Sequence, residues 1–334
     1  MKRKVLSVLT AVLLICCMLA GCKKDVGTPE DNAVQDTDKE DKDKADDQEG
    51  FTFGYSCMDM DDPYFDTLKL AIKGSLEEKG SQLIERNPGA DNALQIQQIQ
   101  ELIDQQVDAV FLCPVDWEQI TPALEALKEA DIPVINIDTQ VKDTDLTEAF
   151  VGSDNKNAGY VCGQDLVKQR PDGGKIVILE SVSVNSVNER ITGFEEAIAD
   201  TGFEVLTRED AKGQKDTAKT EMTRILAENP KIDAVMCGND QVALGALEAV
   251  NEAGRQGDIL IYGVDGSPGV KTELAKPQSA IAGTGAQSPI NIGKKAAEVG
   301  TAILTKDKYE KENYEETFFI NKENVEMYGT DGWQ

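Results

Sequence analysis

The feature that most restricts the fold of this chain is an internal duplication. The run Asp108 to Asp116 leads through an Ala- and Leu-rich stretch, Ala123 to Ala130, into Ile132 to Asp138. The run Asp233 to Asp240 leads in the same way through Ala243 to Val250 into Ile259 to Asp265. Each copy reads as strand, loop, helix, strand. Each first strand ends at a cysteine, Cys113 or Cys237, and each second at an aspartate, Asp138 or Asp265. A matching unit lies upstream of each copy. Phe51 to Cys57 leads to a helix expected over Tyr64 to Lys79 and closed by Gly80, and Lys175 to Glu180 leads to one expected over Arg190 to Asp200, with Gly202 after it. Short apolar strands alternating with amphipathic helices signal parallel βαβ units buried on both faces. The fold class is therefore α/β, with two similar doubly wound parallel-sheet lobes.

In open parallel sheets, ligands sit beyond the carboxyl ends of the strands. Here those ends are Cys57 to Asp62, Cys113 to Asp116, Asp138 to Gln140, Glu180 to Asn188, Cys237 to Asp240, and Asp265 with Gly266. If the lobes face each other, these loops line one cleft, a geometry suited to hinge closure around a ligand.

The N-terminus carries a different message. Lys2, Arg3 and Lys4 precede an apolar run from Val5 to Ala20, and Leu19, Ala20 and Gly21 lead into Cys22. A basic start, an apolar core and small residues before the cut are the parts of a secretory signal. The final four residues resemble a bacterial lipobox, which implies cleavage before Cys22 and a lipid on its thiol. Residues 1–22 are accordingly expected to be a lipoprotein signal peptide, and the protein to sit on the extracytoplasmic face of the cell membrane. Residues 23–50 are polar and rich in Asp, Lys, Glu and Gln. Such a tract cannot bury enough surface to offset chain entropy, so a disordered acidic linker is expected.

Charge and composition remove several function classes. The formal net charge is −27, and loss of Lys2, Arg3 and Lys4 with the signal makes it more negative still. Nucleic acid and anionic lipid are repelled by such a chain, so no nucleic-acid partner is expected. The absence of histidine excludes Ser-His-Asp and Cys-His catalysis and His-bearing zinc sites. Carboxylate chemistry, such as a glycosidase pair, stays open in principle, but no acidic pair has a distinctive setting. Of the seven cysteines, Cys57, Cys113, Cys162 and Cys237 remain in the mature fold without CxxC spacing. A disulfide is permitted in an exported protein. Buried free thiols acting as small hydrophobes are the expected state. Asp59, Asp61 and Asp62 lack the glycine turn and distal glutamate of a calcium loop. The stretch around Gly283 and Gly285 lacks the rest of a dinucleotide fingerprint. No cofactor and no metal are expected.

With these residues in place, the chain from Phe51 to about Asn321 resembles the periplasmic sugar-binding family typified by ribose- and galactose-binding proteins. The stretch Asp233 to Val250 fits that family's pattern closely, and Asp62 to Phe65, Ile132 to Ile135, Asn188 to Phe194 and Tyr262 to Gly266 add to it. The resemblance implies a type I periplasmic binding protein fold, two lobes joined by a three-crossing hinge. The crossings are expected near Gly152 and Ser153, near Gln287 and Ser288, and around Thr317. The N-terminal lobe is then residues 51–152 plus 288–316, and the C-terminal lobe residues 153–287 plus 317–334.

Carried across residue by residue, the resemblance implies ligand contacts from Asp62, Tyr64, Phe65, Asp138, Arg190, Asn239, Asp265 and Gln287, with Cys113, Thr139, Gly213 and Val264 at further family positions. These residue types suit a polyol. A carboxylate accepts from two neighbouring hydroxyls, and a guanidinium fork donates to ring and hydroxyl oxygens. An aromatic face, with Phe65 preferred over Tyr64, covers the apolar face of a sugar ring. Bland roles compete with these. Asp138 and Asp265 stand where helix caps and turns are made, Asn239 could be a turn residue, Asp62 could belong to a solvated acidic loop, and Arg190 could pair with a surface carboxylate. The chain also departs from the ribose pattern. Thr139 replaces an arginine, Cys113 an asparagine, Asp62 an asparagine and Gly213 an aromatic, so a sugar or polyol other than ribose is at least as well served. The family implies a non-enzymatic solute receptor that delivers its cargo to the membrane permease of an ABC importer. A ligand-sensing module for a sensor kinase or chemoreceptor uses the same fold and closure.

Overall fold

The computed structural model describes residues 50–334. The expected signal, the lipid-bearing Cys22 and the linker as far as residue 49 lie outside the described residues. Among the described residues, twelve strands divide into two sheets of six. The first sheet is built from β1 (Thr52–Cys57), β2 (Gln82–Arg86), β3 (Ala109–Cys113), β4 (Val134–Asp138), β5 (Ala149–Ser153) and β11 (Glu312–Glu315), in the order β11-β5-β4-β3-β1-β2. The second holds β6 (Gly174–Glu180), β7 (Phe203–Asp210), β8 (Ala234–Cys237), β9 (Leu260–Asp265), β10 (Ile281–Ala286) and β12 (Phe318–Asn321), in the order β12-β10-β9-β8-β6-β7. The two orders are the same topology repeated. Only the edges differ, with β11 pairing parallel to β5 and β12 antiparallel to β10.

Every residue of β3, β4, β5, β8 and β10 is buried, as expected for parallel strands covered on both faces. In the first lobe, α1 (Pro63–Glu77) and α9 (Pro289–Thr305) cover one face over Phe53, Phe111, Ile135 and Ile292. On the other face α2 (Asn92–Asp104) and α3 (Thr121–Glu129) bury Ile99, Leu112 and Leu124. In the second lobe α4 (Asn155–Gln169) and α5 (Asn185–Ile198) close over Ile178, Phe194 and Met236. There α6 (Lys215–Glu228), α7 (Asp240–Glu252) and α8 (Pro268–Leu274) seal the far face over Val235, Met222 and Leu247. A short α10 (Val325–Tyr328) follows β12. Cys57, Cys113, Cys162 and Cys237 are all buried and unpaired. None of the described helices is long and apolar enough to cross a membrane.

Three connections pass between the sheets. The chain leaves the first sheet after Ser153, returns between Ala286 and Pro289, and crosses again between Glu315 and Phe318. As a result each lobe is covered by a helix that follows a strand of the other: α4 comes after β5, and α9 after β10. The two helices of the second-lobe pair, α4 and α5, approach through glycines. A Cβ on Gly159 would collide with the Arg190 carbonyl, and one on Gly193 with the Lys156 carbonyl.

Three local expectations change. The helix expected from Arg190 begins five residues earlier, at Asn185, so Arg190 lies in its second turn. The first helix runs Pro63–Glu77, with Pro63 in its first turn and Asp62 as its cap. The tail, expected to stay with the C-terminal lobe, bridges both. Lys271 of α8, fully buried, donates from Nζ to the Gly332 carbonyl. One residue on, Trp333 packs into the first-lobe core, its ring 5.7 Å from that of Tyr64 at 74°. A large aromatic ring gains more by covering the end of α1 than by standing in solvent.

Candidate ligand-binding site

The loops at the carboxyl ends of both sheets enclose one cavity of about 300 Å³. Its walls include Asp62, Tyr64, Phe65 and Asp138 from the first lobe and Arg190, Asn239 and Asp265 from the second, with Gln287 on the second crossing. All eight proposed contact residues therefore meet, and Gly213 joins them. The volume is at the small end of ligand pockets, on the scale of one ring rather than a chain.

Buried polar side chains shape the loops. In the first lobe, Gln95 donates to the Cys113 carbonyl at 3.0 Å and accepts from the Val115 N–H at 2.8 Å. Asn136 donates to the carbonyls of Leu112 and Thr139 and accepts from the Val141 N–H. In the second lobe Asp240 has the equivalent task, accepting from the Ser267 N–H at 2.7 Å and the Thr284 hydroxyl at 2.8 Å. These networks hold Asp138 and Asp265 in backbone conformations L-residues seldom adopt, with φ of 63° and 139°. Neither carboxylate accepts from the N–H groups of a following helix. Both line the cavity, although Asp265 Oδ2 also accepts from the Asp240 N–H at the start of α7, at 3.3 Å.

Arg190 is the hub of the second-lobe wall. It is 4% exposed. Its Nε donates to Asn155 Oδ1 at 2.8 Å, and Nη1 donates to the Gly238 carbonyl at 2.9 Å. The same Nη1 lies 3.6 Å from Asp265 Oδ1, which also accepts from Gln287 Nε2 at 2.8 Å. Asn239 and Asp62 do cap helices, Oδ1 of Asn239 accepting from the Val242 N–H and Oδ1 of Asp62 from the Tyr64 N–H, each at 2.8 Å. Both still face the cavity. Phe65 meets Tyr64 edge to face at 5.3 Å, so the two aromatics form one corner of the wall.

Burial governs the ionisation here. It raises the Asp62 carboxyl to about 6, with the Tyr64 N–H pulling against it. Asp138 is also raised by burial and drawn back by the charge of Arg190. Asp265 is pushed well above the usual carboxylate range by burial, with Arg190 opposing the shift and Asp240 adding to it. Two buried polar atoms at the wall, Tyr64 Oη and Ser181 Oγ, lack a well-formed hydrogen bond.

Three carried-over positions do not reach the cavity wall. Cys113 is wholly buried and turns its thiol to Asp138 Oδ2 at 3.7 Å. Val264 packs in the second-lobe core. Thr139 instead ties the lobes together, its hydroxyl accepting from the Ser186 N–H at 2.8 Å. A second bond between lobes runs from the Trp117 N–H to the Ser183 carbonyl at 3.1 Å, so the cleft is closed at its mouth. Sequence reasoning placed the loop Glu180 to Asn188 at the cleft without singling out Ser181, Ser183 and Ser186, and it missed Lys212. They lie in irregular loops with no periodic signal, and only the position of those loops at strand ends could have pointed to them.

Residues 53–308 match the periplasmic binding protein domain family. The chain belongs to the periplasmic sugar-binding protein family. One family member, the ribose import binding protein of Bacillus subtilis, is 33% identical over 262 residues, covering 78% of this chain and 84% of that one. Among solved structures of the family, an ABC transporter solute binding protein from Mycobacterium smegmatis with bound glycerol superposes with a TM-score of 0.79 at 26% identity. The match covers 83% of this chain and 96% of the other. The fructose-binding periplasmic domain of a hybrid two-component system matches with a TM-score of 0.77 at 27% identity, covering 83% and 93% of the two chains. The two-lobed, type I periplasmic binding protein architecture is thus shared across the family.

Proposed function

We propose that this protein is the lipid-anchored, extracytoplasmic solute receptor of a sugar ABC importer. It captures a monosaccharide or polyol in the interlobe cleft by hinge closure and presents it to a membrane permease. The observation that carries this reading is the single small cavity walled by Asp138 and Asp265, one from each lobe, with Arg190 and the Tyr64–Phe65 corner. Carboxylates accept from paired hydroxyls, the guanidinium donates, and the aromatic corner takes the C–H face of a ring. A ligand touching both lobes favours the closed form by the difference in its contacts with the two states. The ribose- and glycerol-binding relatives support this ligand class. The lipid anchor rests on Cys22 and the small residues before it. Its role is binding rather than catalysis.

A second reading, a sensory module, is supported by the resemblance to the fructose-binding domain of the two-component system. The deciding experiment measures titration calorimetry of the purified chain against pentoses, hexoses, inositols and sugar alcohols, followed by uptake of the labelled hit in cells with and without the gene. Binding with lost uptake supports transport. Binding with intact uptake favours sensing, and no binding across the panel overturns the receptor reading.

A further inference from the structure

Resting on the receptor reading, the charge balance of the cleft narrows its cargo. Within the cavity the interior carboxylates Asp62, Asp138 and Asp265 face one interior cation, Arg190. That cation is already committed to the second lobe. Its Nε and Nη1 bond Asn155 and the Gly238 carbonyl, and the same Nη1 stands beside Asp265. Asp265 has further donors in Gln287 and the Asp240 N–H.

The first lobe has weaker compensation, since Arg190 reaches Asp138 only through its charge. Asp138 is 3% exposed, and the donors at its carboxylate are neutral, the Cys113 thiol at 3.7 Å and the Tyr64 hydroxyl. Burial pushes that thiol up, so it stays neutral. Asp62 receives a single backbone N–H from Tyr64. Among the described residues neither carboxylate takes part in an ion pair. The rim does not redress the balance, because Asp59 and Asp210 there outnumber Lys212. A buried, unpaired carboxylate is costly, and a ligand cation removes the cost by supplying the missing partner.

An independent observation places a polar ligand group on the same side. Tyr64 Oη is buried at the wall on the Asp138 side, without a well-formed hydrogen bond. Ser181 Oγ is left in the same condition across the cavity. A hydroxylated ligand satisfies both, while an ammonium with three donors satisfies the carboxylates.

We infer that the cleft takes a sugar or cyclic polyol bearing a protonated amine, with the ammonium against Asp138 and Asp62 and the hydroxyls toward Arg190, Asn239 and Gln287. The small cavity admits one ring. Acylation of the amine removes both its charge and the room it needs.

The test is calorimetry on the purified full chain at neutral pH, with aldoses, ketoses and inositols each set beside its amino-deoxy and N-acetylamino counterpart. The expected result is an amino compound bound at least about tenfold tighter than its parent and its N-acetyl form, the scale of one charge-assisted hydrogen bond. In Asp62→Asn the ratio of amine to parent affinity falls toward unity, whatever becomes of the parent's own affinity. A neutral parent bound as tightly as its amine overturns the inference and leaves the receptor reading intact. Silence across every member of the panel overturns both.

Discussion

The hydroxyl of Thr139, at the end of β4 in the first lobe, accepts a 2.8 Å hydrogen bond from the Ser186 N–H in the first turn of α5 in the second. Both groups are buried and the bond joins the two lobes, so separating the lobes would break it. Thr139→Val keeps the shape and removes the acceptor, leaving a buried N–H unpaired in the closed form alone. Ligand affinity is expected to fall about tenfold, through a loss confined to the closed state. Calorimetry with small-angle scattering checks this; unchanged affinity and unchanged ligand-induced compaction would count against the latch.

Arg190 serves the fold and the ligand together. Arg190→Ala leaves Asp265 without its nearby cation and the Gly238 carbonyl without its donor. Truncating one member of a buried ion pair costs about 3–5 kcal/mol, so a marked drop in Tm is expected along with lost binding. Arg190→Lys is expected to fail as well, since a point charge cannot reach Asn155 and Gly238 simultaneously. Chemical denaturation of both variants reads the stability part, and a Lys variant that binds normally argues against the fork geometry.

Gly159 controls that same side chain from a neighbouring helix. Because its Cα faces the Arg190 carbonyl, Gly159→Ala must push α5 away from α4. Overpacking of this kind costs about 1–3 kcal/mol, and here it also moves the guanidinium relative to the cavity. Reduced affinity in a folded, somewhat destabilised protein is the expected outcome. Full affinity with lowered stability would separate helix packing from the site.

The carboxylate of Asp62 sets a pH dependence. Its folded-state pKa, about 6, exceeds the ordinary value of 3.8. A carboxyl raised on folding contributes stability that is complete below the unfolded value and lost as pH rises through the folded one. For Asp62 the loss therefore spans the interval between those two values. Asp62→Asn keeps the capping oxygen and discards the charge. The ligand-free variant should melt higher than the parent at neutral pH, with the difference closing below pH 4 (the lower limit of that interval). A variant that melts lower at neutral pH would contradict the assignment.

Much of this arrangement was open to reading because it repeats. Asp138 and Asp265 could be placed at strand ends in each lobe since the duplication supplies two views of one unit, and the apolar strands announce burial on both faces. Arg190, Asn239 and Gln287 came from family register rather than from any local pattern. That register failed at Cys113, Thr139 and Val264, where side-chain direction depends on loop geometry: Asn136 and Gln95 turn the first-lobe loops, and neither advertises that role in sequence. The start of α5 was misplaced because no capping side chain marks it. The docking of Trp333 on Tyr64 joins residues too far apart in the chain to leave any periodic trace.

The two tryptophans stand where the lobes meet. Trp117 donates its backbone N–H to the Ser183 carbonyl at the cleft mouth, and Trp333 lies edge-on to Tyr64 at the hinge side. The molecule therefore has a built-in optical readout of its own closure. Opening breaks the backbone bond beside the half-buried first indole and loosens the second, so intrinsic emission should shift as ligand is added or withdrawn. Trp117→Phe would leave a single fluorophore at the hinge, and the difference between the two spectra would time the mouth and the hinge separately, without any attached dye.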